Sequence, residues 1–285
     1  MARPSRNRSR WCRWRLERAA AAVVLAASVG CVVTPRRARP SEAALAAAQA
    51  HSARVAAARE RDAGALGRLF HRAGVSAPAP LLLLAFKHER ELELWGRARA
   101  QSRYARIATY PVLAISGVLG PKRREGDHQI PEGFYRVVAL NPASLYHLSL
   151  ELDYPNRSDR ILGDPKDPGN EIFIHGDAVS DGCIPIGDHA IEQVYLAVLD
   201  SRVAGYDVQV AIFPCRFSSP ECRGLLGAAS AGQPALAAFW ANLESGYAAF
   251  QRSGALPHVS VEASGRYTFG AGGSVAAGVA PSHSS

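Results

Sequence analysis

Residues 171–186 read EIFIHGDAVSDGCIPI. The apolar run Ile172-Phe173-Ile174 has the form of a buried strand. It breaks at His175-Gly176 and continues through Asp177-Ala178-Val179-Ser180-Asp181 to Gly182-Cys183. A histidine leaving a strand end, with a cysteine eight positions later, is the raw material of a thiol nucleophile and its base. The competing structural reading is a buried thiol beside a loop histidine, since free cysteine is among the most buried residue types.

The surroundings of this stretch read as a mainly β domain with flanking helices. Leu81–Phe86 is a continuous apolar run, and Leu92–Trp95 alternates. Lys87-His88-Glu89-Arg90 between them suits a hairpin turn. Tyr104–Tyr110, the apolar stretch Pro111–Gly117 and Gly133–Leu140 extend the strand-like grammar. Leu145–Tyr154 follows with the period-two alternation of a half-buried strand. Beyond the motif, Asp188 is a suitable N-cap for a helix to about Arg202. Tyr206–Phe213 returns to strand, and 234–252 carries Leu236, Phe239, Trp240, Leu243, Tyr247 and Phe250 at helical spacing. On the N-terminal side, Ser41 caps an expected Ala-rich helix over 42–72, which Pro78 and Pro80 close off.

Charge and cysteine usage set the compartment. The chain has 285 residues and a net charge of +8, but seven Arg and one acid in residues 1–18 account for six of those charges. The rest carries no basic stripe, so nucleic acid is not an expected partner. The arginines precede the fifteen-residue apolar run Ala19–Val33, too short for a spanning helix and patterned as a secretory signal. Ser28-Val29-Gly30-Cys31 resembles a lipobox, which makes Cys31 a lipidation candidate; simple cleavage and an uncleaved anchor are the alternatives. Cys12 lies in the same segment. In an oxidising compartment Cys215 and Cys222 flank a turn-rich loop and are a candidate disulfide. Cys183 then remains as the unpaired, reactive thiol.

The chemistry such a pair performs is acyl transfer through a thioester. His175 acts as base, the Gly176 carbonyl orients the imidazole, and the N–H groups of Gly182 and Cys183 form an oxyanion hole. Ser180 is expected to support the turn. Zinc held by His175, Asp177 and Cys183 is the rival chemistry, but the spacing matches no common zinc signature, so neither metal nor other cofactor is expected.

The motif His175-Gly-x-x-x-Ser180-x-Gly182-Cys183 resembles the catalytic signature of the L,D-transpeptidases, the YkuD-type domain that crosslinks bacterial peptidoglycan. Its compact spacing is that of the YafK-type murein subgroup. Upstream, Gly120–Asp127 (GPKRREGD), Gln129–Tyr135 (QIPEGFY), Leu140-Asn141-Pro142, Tyr146–Ser149 and Tyr154-Pro155-Asn156 are similar to segments of that subgroup, so the resemblance covers about residues 80–215.

The resemblance implies a sandwich-like β fold, Cys183 as nucleophile, His175 as base and Gly176 as orienting group. It further implies peptidoglycan stem peptides as substrate, with a wall-linked protein as a further acceptor or substrate. Asp181 stands where the commoner family form has His, and Pro185 where it has Arg. Lys122, Arg123 and Arg124 are candidates to replace that cation, against a solvated turn as the favoured reading of the run, and His147 is a further substrate-binding candidate for which a structural role is favoured. Expected boundaries are a signal over 1–33, a linker and helix over 34–80, the catalytic domain over 81–215, a helical extension over 216–269 and a disordered tail over 270–285. The expected location is the periplasm or cell envelope. A hydrolase of stems or protein links, and an inactive wall-binding module, are the alternative functions.

Overall fold

The computed structural model describes residues 52–98 and 103–270, with positions 44, 45, 48 and 49. The signal, Cys12, Cys31, the 34–40 linker, Ser41 and the tail beyond Gly270 lie outside them.

The elements in chain order are helix α1 (Ala53–Arg72), β1 (Leu81–Phe86), β2 (Glu91–Gly96), β3 (Ala105–Pro111), β4 (Gly133–Asn141), β5 (Ser149–Leu152) and the short helix α2 (Arg157–Leu162). Then come β6 (Phe173–His175), β7 (Ile184–Pro185), α3 (Asp188–Val203), β8 (Gln209–Phe213), α4 (Pro220–Ala229), α5 (Pro234–Ser253), β9 (His258–Val261) and β10 (Tyr267–Gly270). Eight strands form one sheet in the order β3-β2-β1-β8-β4-β5-β6-β7, with β9 and β10 as a separate hairpin. The mainly β class with flanking helices is therefore correct.

Strand β4 joins the two halves of the sheet. Its first residues, Gly133–Arg136, pair with β8, and Val137–Asn141 pair with β5. Strand β1 lies between β2 and β8, parallel to the latter. Its unbroken apolar run reflects burial on both faces. Leu81, Leu83 and Ala85 meet the layer formed by α1 and α3, whereas Leu82, Leu84 and Phe86 meet the aromatic layer of α5. The stripe Phe239, Trp240, Leu243, Tyr247 and Phe250 is thus core, packed edge-on against Phe86, Phe213 and Trp95.

Four expectations need correction. The Ala-rich segment is not one helix, because Ser52 is extended (φ −82°, ψ 110°) and its hydroxyl accepts the Val55 N–H as the N-cap of α1. Pro111–Gly117 forms no strand beyond Pro111. The strand expected over Leu145–Tyr154 shrinks to Ser149–Leu152, so His147 sits in a turn with φ +68°. Finally, Gly187 occupies the N-cap of α3, and Asp188 is its first residue. Helix α2 was hidden in a charged loop, where Asn156 and Asp159 form a reciprocal capping box.

One buried ion pair ties the sheet to the loop over the site. Lys87 Nζ, at the expected β1–β2 turn, donates to the carbonyls of Gly120 (2.7 Å), Ile130 (3.0 Å) and Val118 (3.2 Å) and to Glu132 Oε1 (2.9 Å). Glu132 also accepts from Gly120 N–H and Trp240 Nε1–H. Each charge is surrounded by complementary partners, the condition under which a buried pair survives desolvation.

Candidate active site

Strand register brings the motif together. Ile174 pairs with Ile184 and His175 with Pro185 in the parallel β6–β7 ladder. One rung back, Cys183 lies opposite Phe173, and side-chain alternation puts Cys183 and His175 on the same face. Both are buried, and Cys183 is the free cysteine among the described residues.

His175 donates its Nδ1–H to the Gly176 carbonyl at 2.5 Å. This fixes the tautomer that leaves a lone pair on Nε2, and that buried atom has no hydrogen-bond partner. Burial depresses the imidazole pKa, against the opposing pull of the Gly176 carbonyl and Asp177. The Cys183 thiol points to the Glu171 carbonyl at 3.9 Å, and it makes no hydrogen bond to His175 Nε2. Burial pushes the thiol up to about 12; the Phe173 N–H opposes this, Asp181 adds to it, and Lys122 opposes it. The resting pair is a neutral thiol and a neutral base, not a thiolate–imidazolium pair.

Gly176 has no room for a side chain. A Cβ there would lie 2.5 Å from Asp188 Oδ1 and 2.8 Å from the Tyr146 carbonyl. The Tyr146 ring lies against His175, tilted by 42° with centroids 4.8 Å apart, and the Gly176 N–H donates to the Tyr146 and Leu148 carbonyls. Asp177 turns outward, exposed at φ +59°, with its N–H on Asp188 Oδ1.

The turn over residues 180–183 is held by two hydroxyls. Ser180 Oγ donates to the Cys183 carbonyl at 2.7 Å. Ser116 Oγ accepts the Gly182 N–H at 2.7 Å and lies 3.0 Å from Ser180 Oγ. Because the Ser180 proton is spent on a carbonyl, Ser116 must be the donor of that pair. Gly182, at φ +103°, needs the left-handed region that glycine tolerates. Its N–H is engaged by Ser116, so it would have to exchange partners to serve an oxyanion.

The four expected substrate contacts separate. Lys122 turns inward, with Nζ on Asp127 Oδ1 (2.8 Å) and the Arg124 carbonyl (2.9 Å). Arg123 lies over the Phe239 ring and 3.6 Å from Asp159. His147 Nε2 is taken by Glu192 at 2.5 Å. Arg124 is exposed, with Asp164 as a charged neighbour. Asp181, the family departure, meets His128 Nδ1 from the 120–132 loop. Cys215 and Cys222 form a disulfide with Cα atoms 5.6 Å apart.

Ser116, Tyr146 as a ring support and His128 carried no sequence signal of their roles. Each contacts the motif only after the chain has folded back by at least 29 residues.

The sequence profile of the YkuD family, the L,D-transpeptidase catalytic domain, matches residues 89–210. An Escherichia coli K12 protein named "Putative L,D-transpeptidase YafK" is 34% identical over 192 residues, covering 66% of this chain and 73% of that protein. Among solved structures, the helical cell shape determining protein Pgp2 from Campylobacter jejuni aligns at 20% identity and TM-score 0.39, over 53% of this chain and 56% of that one. Mycobacterium tuberculosis L,D-transpeptidase 1 aligns at 12% identity and TM-score 0.28, over 47% of this chain and 62% of that one.

Proposed function

The chain belongs to the L,D-transpeptidase family, and on that premise we propose that it is a cysteine-dependent acyltransferase acting on peptidoglycan stem peptides. The observation that carries this reading is the state of His175. Its Nδ1–H is anchored on Gly176 and its buried Nε2 has no hydrogen-bond partner, while strand register assigns the free thiol to the same face.

In the proposed reaction His175 Nε2 takes the Cys183 thiol proton as sulfur attacks the carbonyl of the L-centred bond. A neutral base suits this step, because a thiol held up at about 12 reacts only when its proton is removed during attack. The oxyanion of the tetrahedral intermediate is held by backbone N–H groups at Gly182 and Cys183, with Ser116 releasing the former. His175 returns the proton to the departing amine as the C–N bond breaks, leaving a thioester on Cys183. An amine of a second stem, or of a wall-linked protein, then attacks. It loses its proton to His175, and sulfur leaves and is reprotonated. Arg124 is the proposed cation for a substrate carboxylate, in place of the arginine missing at Pro185.

The catalytic domain is proposed to span 81–215, with 216–269 as its helical extension. Export is proposed from the basic and apolar N-terminus, with Cys31 as the proposed lipid attachment. Among the described residues, no helix is long and apolar enough to cross a membrane.

The test is a product profile by mass after incubation of the purified chain with disaccharide-peptide fragments. Crosslinked dimers with loss of the terminal D-residue are expected. Trimmed monomers alone would make it a hydrolase, and full turnover by Cys183→Ala would refute the thioester route.

A further inference from the structure

The turn beside His175 is tied to a helix outside the segment matched by the family profile. Helix α1 precedes residue 89, yet its first turn reaches the catalytic loop. Arg54 Nη1 donates to the carbonyls of Ser144 (2.8 Å), Pro142 (3.4 Å) and His147. These carbonyls belong to the turn that follows β4, residues 142–148, which has no strand ladder of its own. A second tie comes from the next turns of α1 and from α3. Arg61 holds both oxygens of Glu192, and Glu192 holds His147 Nε2.

That turn is what His175 rests on. The Tyr146 ring lies against the imidazole, tilted by 42° with centroids 4.8 Å apart, and the Tyr146 carbonyl accepts the Gly176 N–H at 3.0 Å. The carbonyl of the same Gly176 accepts the His175 Nδ1–H. A displacement of the turn therefore moves the ring's support and its orienting carbonyl together.

We infer that Arg54 is a positioning residue for His175, acting through the carbonyls of residues 142–147. All three contacts come from the one nitrogen Nη1, so a lysine ammonium could keep some of them, though on a more flexible stem. The inference rests on the reading of His175 as the base, and it makes α1 part of the working site.

The experiment compares Arg54→Ala, Arg54→Lys and Arg59→Ala in the full chain. Arg59 is the control, since it also joins α1 to α3, by an exposed pair with Asp200, without touching the turn. The first readout is the rate of Cys183 alkylation by iodoacetamide as a function of pH, which needs no peptidoglycan. The second is kcat and KM on stem-peptide fragments.

Arg54→Ala is expected to slow alkylation and kcat by roughly ten- to a hundredfold, as displaced catalytic groups do, with KM little changed. Its acid inflection should rise toward the ordinary imidazole value as burial of His175 is lost. Arg54→Lys should recover part of the rate, and Arg59→Ala should match the unmodified chain. The charged and titratable groups that face His175 and Gly176 include Asp177, Asp188, Tyr146 and His147 with its partner Glu192, and none is altered in these variants.

If Arg54→Ala does not fold, Arg54→Gln replaces it, with the same shift expected. An Arg54 variant that is folded but shares the alkylation profile of Arg59→Ala overturns the inference. Altered alkylation with no peptidoglycan turnover by the unmodified chain would uphold Arg54 and remove the transpeptidase reading instead.

Discussion

The Ser116 hydroxyl receives the backbone N–H of Gly182 at 2.7 Å, although 66 residues separate the two in the chain. Through Ser180 the same hydroxyl also steadies the Cys183 carbonyl. The residue that stabilises the turn over residues 180–183 therefore also occupies a donor that the oxyanion would need.

This relay predicts non-additivity. Ser116→Ala and Ser180→Ala should each cost about 1 kcal/mol, the usual net worth of a hydrogen bond. Since the bonds are consecutive, the double variant should lose less than the sum of the two. Urea unfolding midpoints of the four proteins in the cycle measure the coupling; strict additivity would show that the hydroxyls act separately.

The acid limb of activity should lie below the ordinary histidine range. Burial lowers the His175 pKa, so the ring stays neutral, and basic, to lower pH than a free imidazole. The corresponding stability contribution is present above the unfolded histidine pKa and is lost as pH falls through the depressed folded value. His175→Gln should lower kcat by roughly 10²–10⁴, the range of general acid–base catalysis, and should remove this limb from the pH–rate profile.

Gly176→Ala should damage both fold and site. The added methyl would meet Asp188 Oδ1 at 2.5 Å and two atoms of the 146–147 turn below 3 Å. Overpacking of this kind costs about 1–3 kcal/mol, and relief by backbone shift would carry the His175 anchor with it. A lowered melting temperature with a disproportionate loss of kcat is the expected pair of results.

Glu132→Ala should be among the most destabilising single changes. It would leave the Lys87 ammonium buried without its counter-charge and free Trp240 Nε1–H and Gly120 N–H. Breaking one side of a buried pair costs about 3–5 kcal/mol, measurable in urea. A replacement that removes both charges, Lys87→Met with Glu132→Leu, should be less harmful than Glu132→Ala.

Stability should also respond to pH through Asp159. Burial raises its carboxyl to about 7, against the Asn156 N–H and Arg123. The folded state therefore holds a proton that the unfolded chain releases at ordinary carboxylate pH. The contribution is full below that range and is lost as pH rises through about 7. From about pH 4 to about pH 8, unfolding midpoints of the unmodified chain should fall relative to those of Asp159→Asn, which shares the opposite contribution of His175.

Local pattern was sufficient for the strand Leu81–Phe86, for α5 and for the β6 strand that ends in His175, because burial writes a period into the residues it covers. The same logic missed α2, whose signal is a polar capping box. It overextended β5, because alternation continues through Tyr146 and His147 after the ladder has ended. Lys122 and His147 looked available for substrate because a charged residue in sequence carries no record of its partner. Asp127 and Glu192 are supplied by folding.

By itself, the sequence determined the mainly β class and the family, and it nominated Cys183 and His175 as the candidate thiol and base. These follow from residue type, spacing and order along the chain. Only the tertiary structure decided that burial pushes the thiol pKa up, that Ser116 holds Gly182, that His128 meets Asp181 and that Arg54 holds the turn beneath His175. Those properties depend on burial and on contacts between segments distant in sequence, and both arise only when the sheet closes around the site.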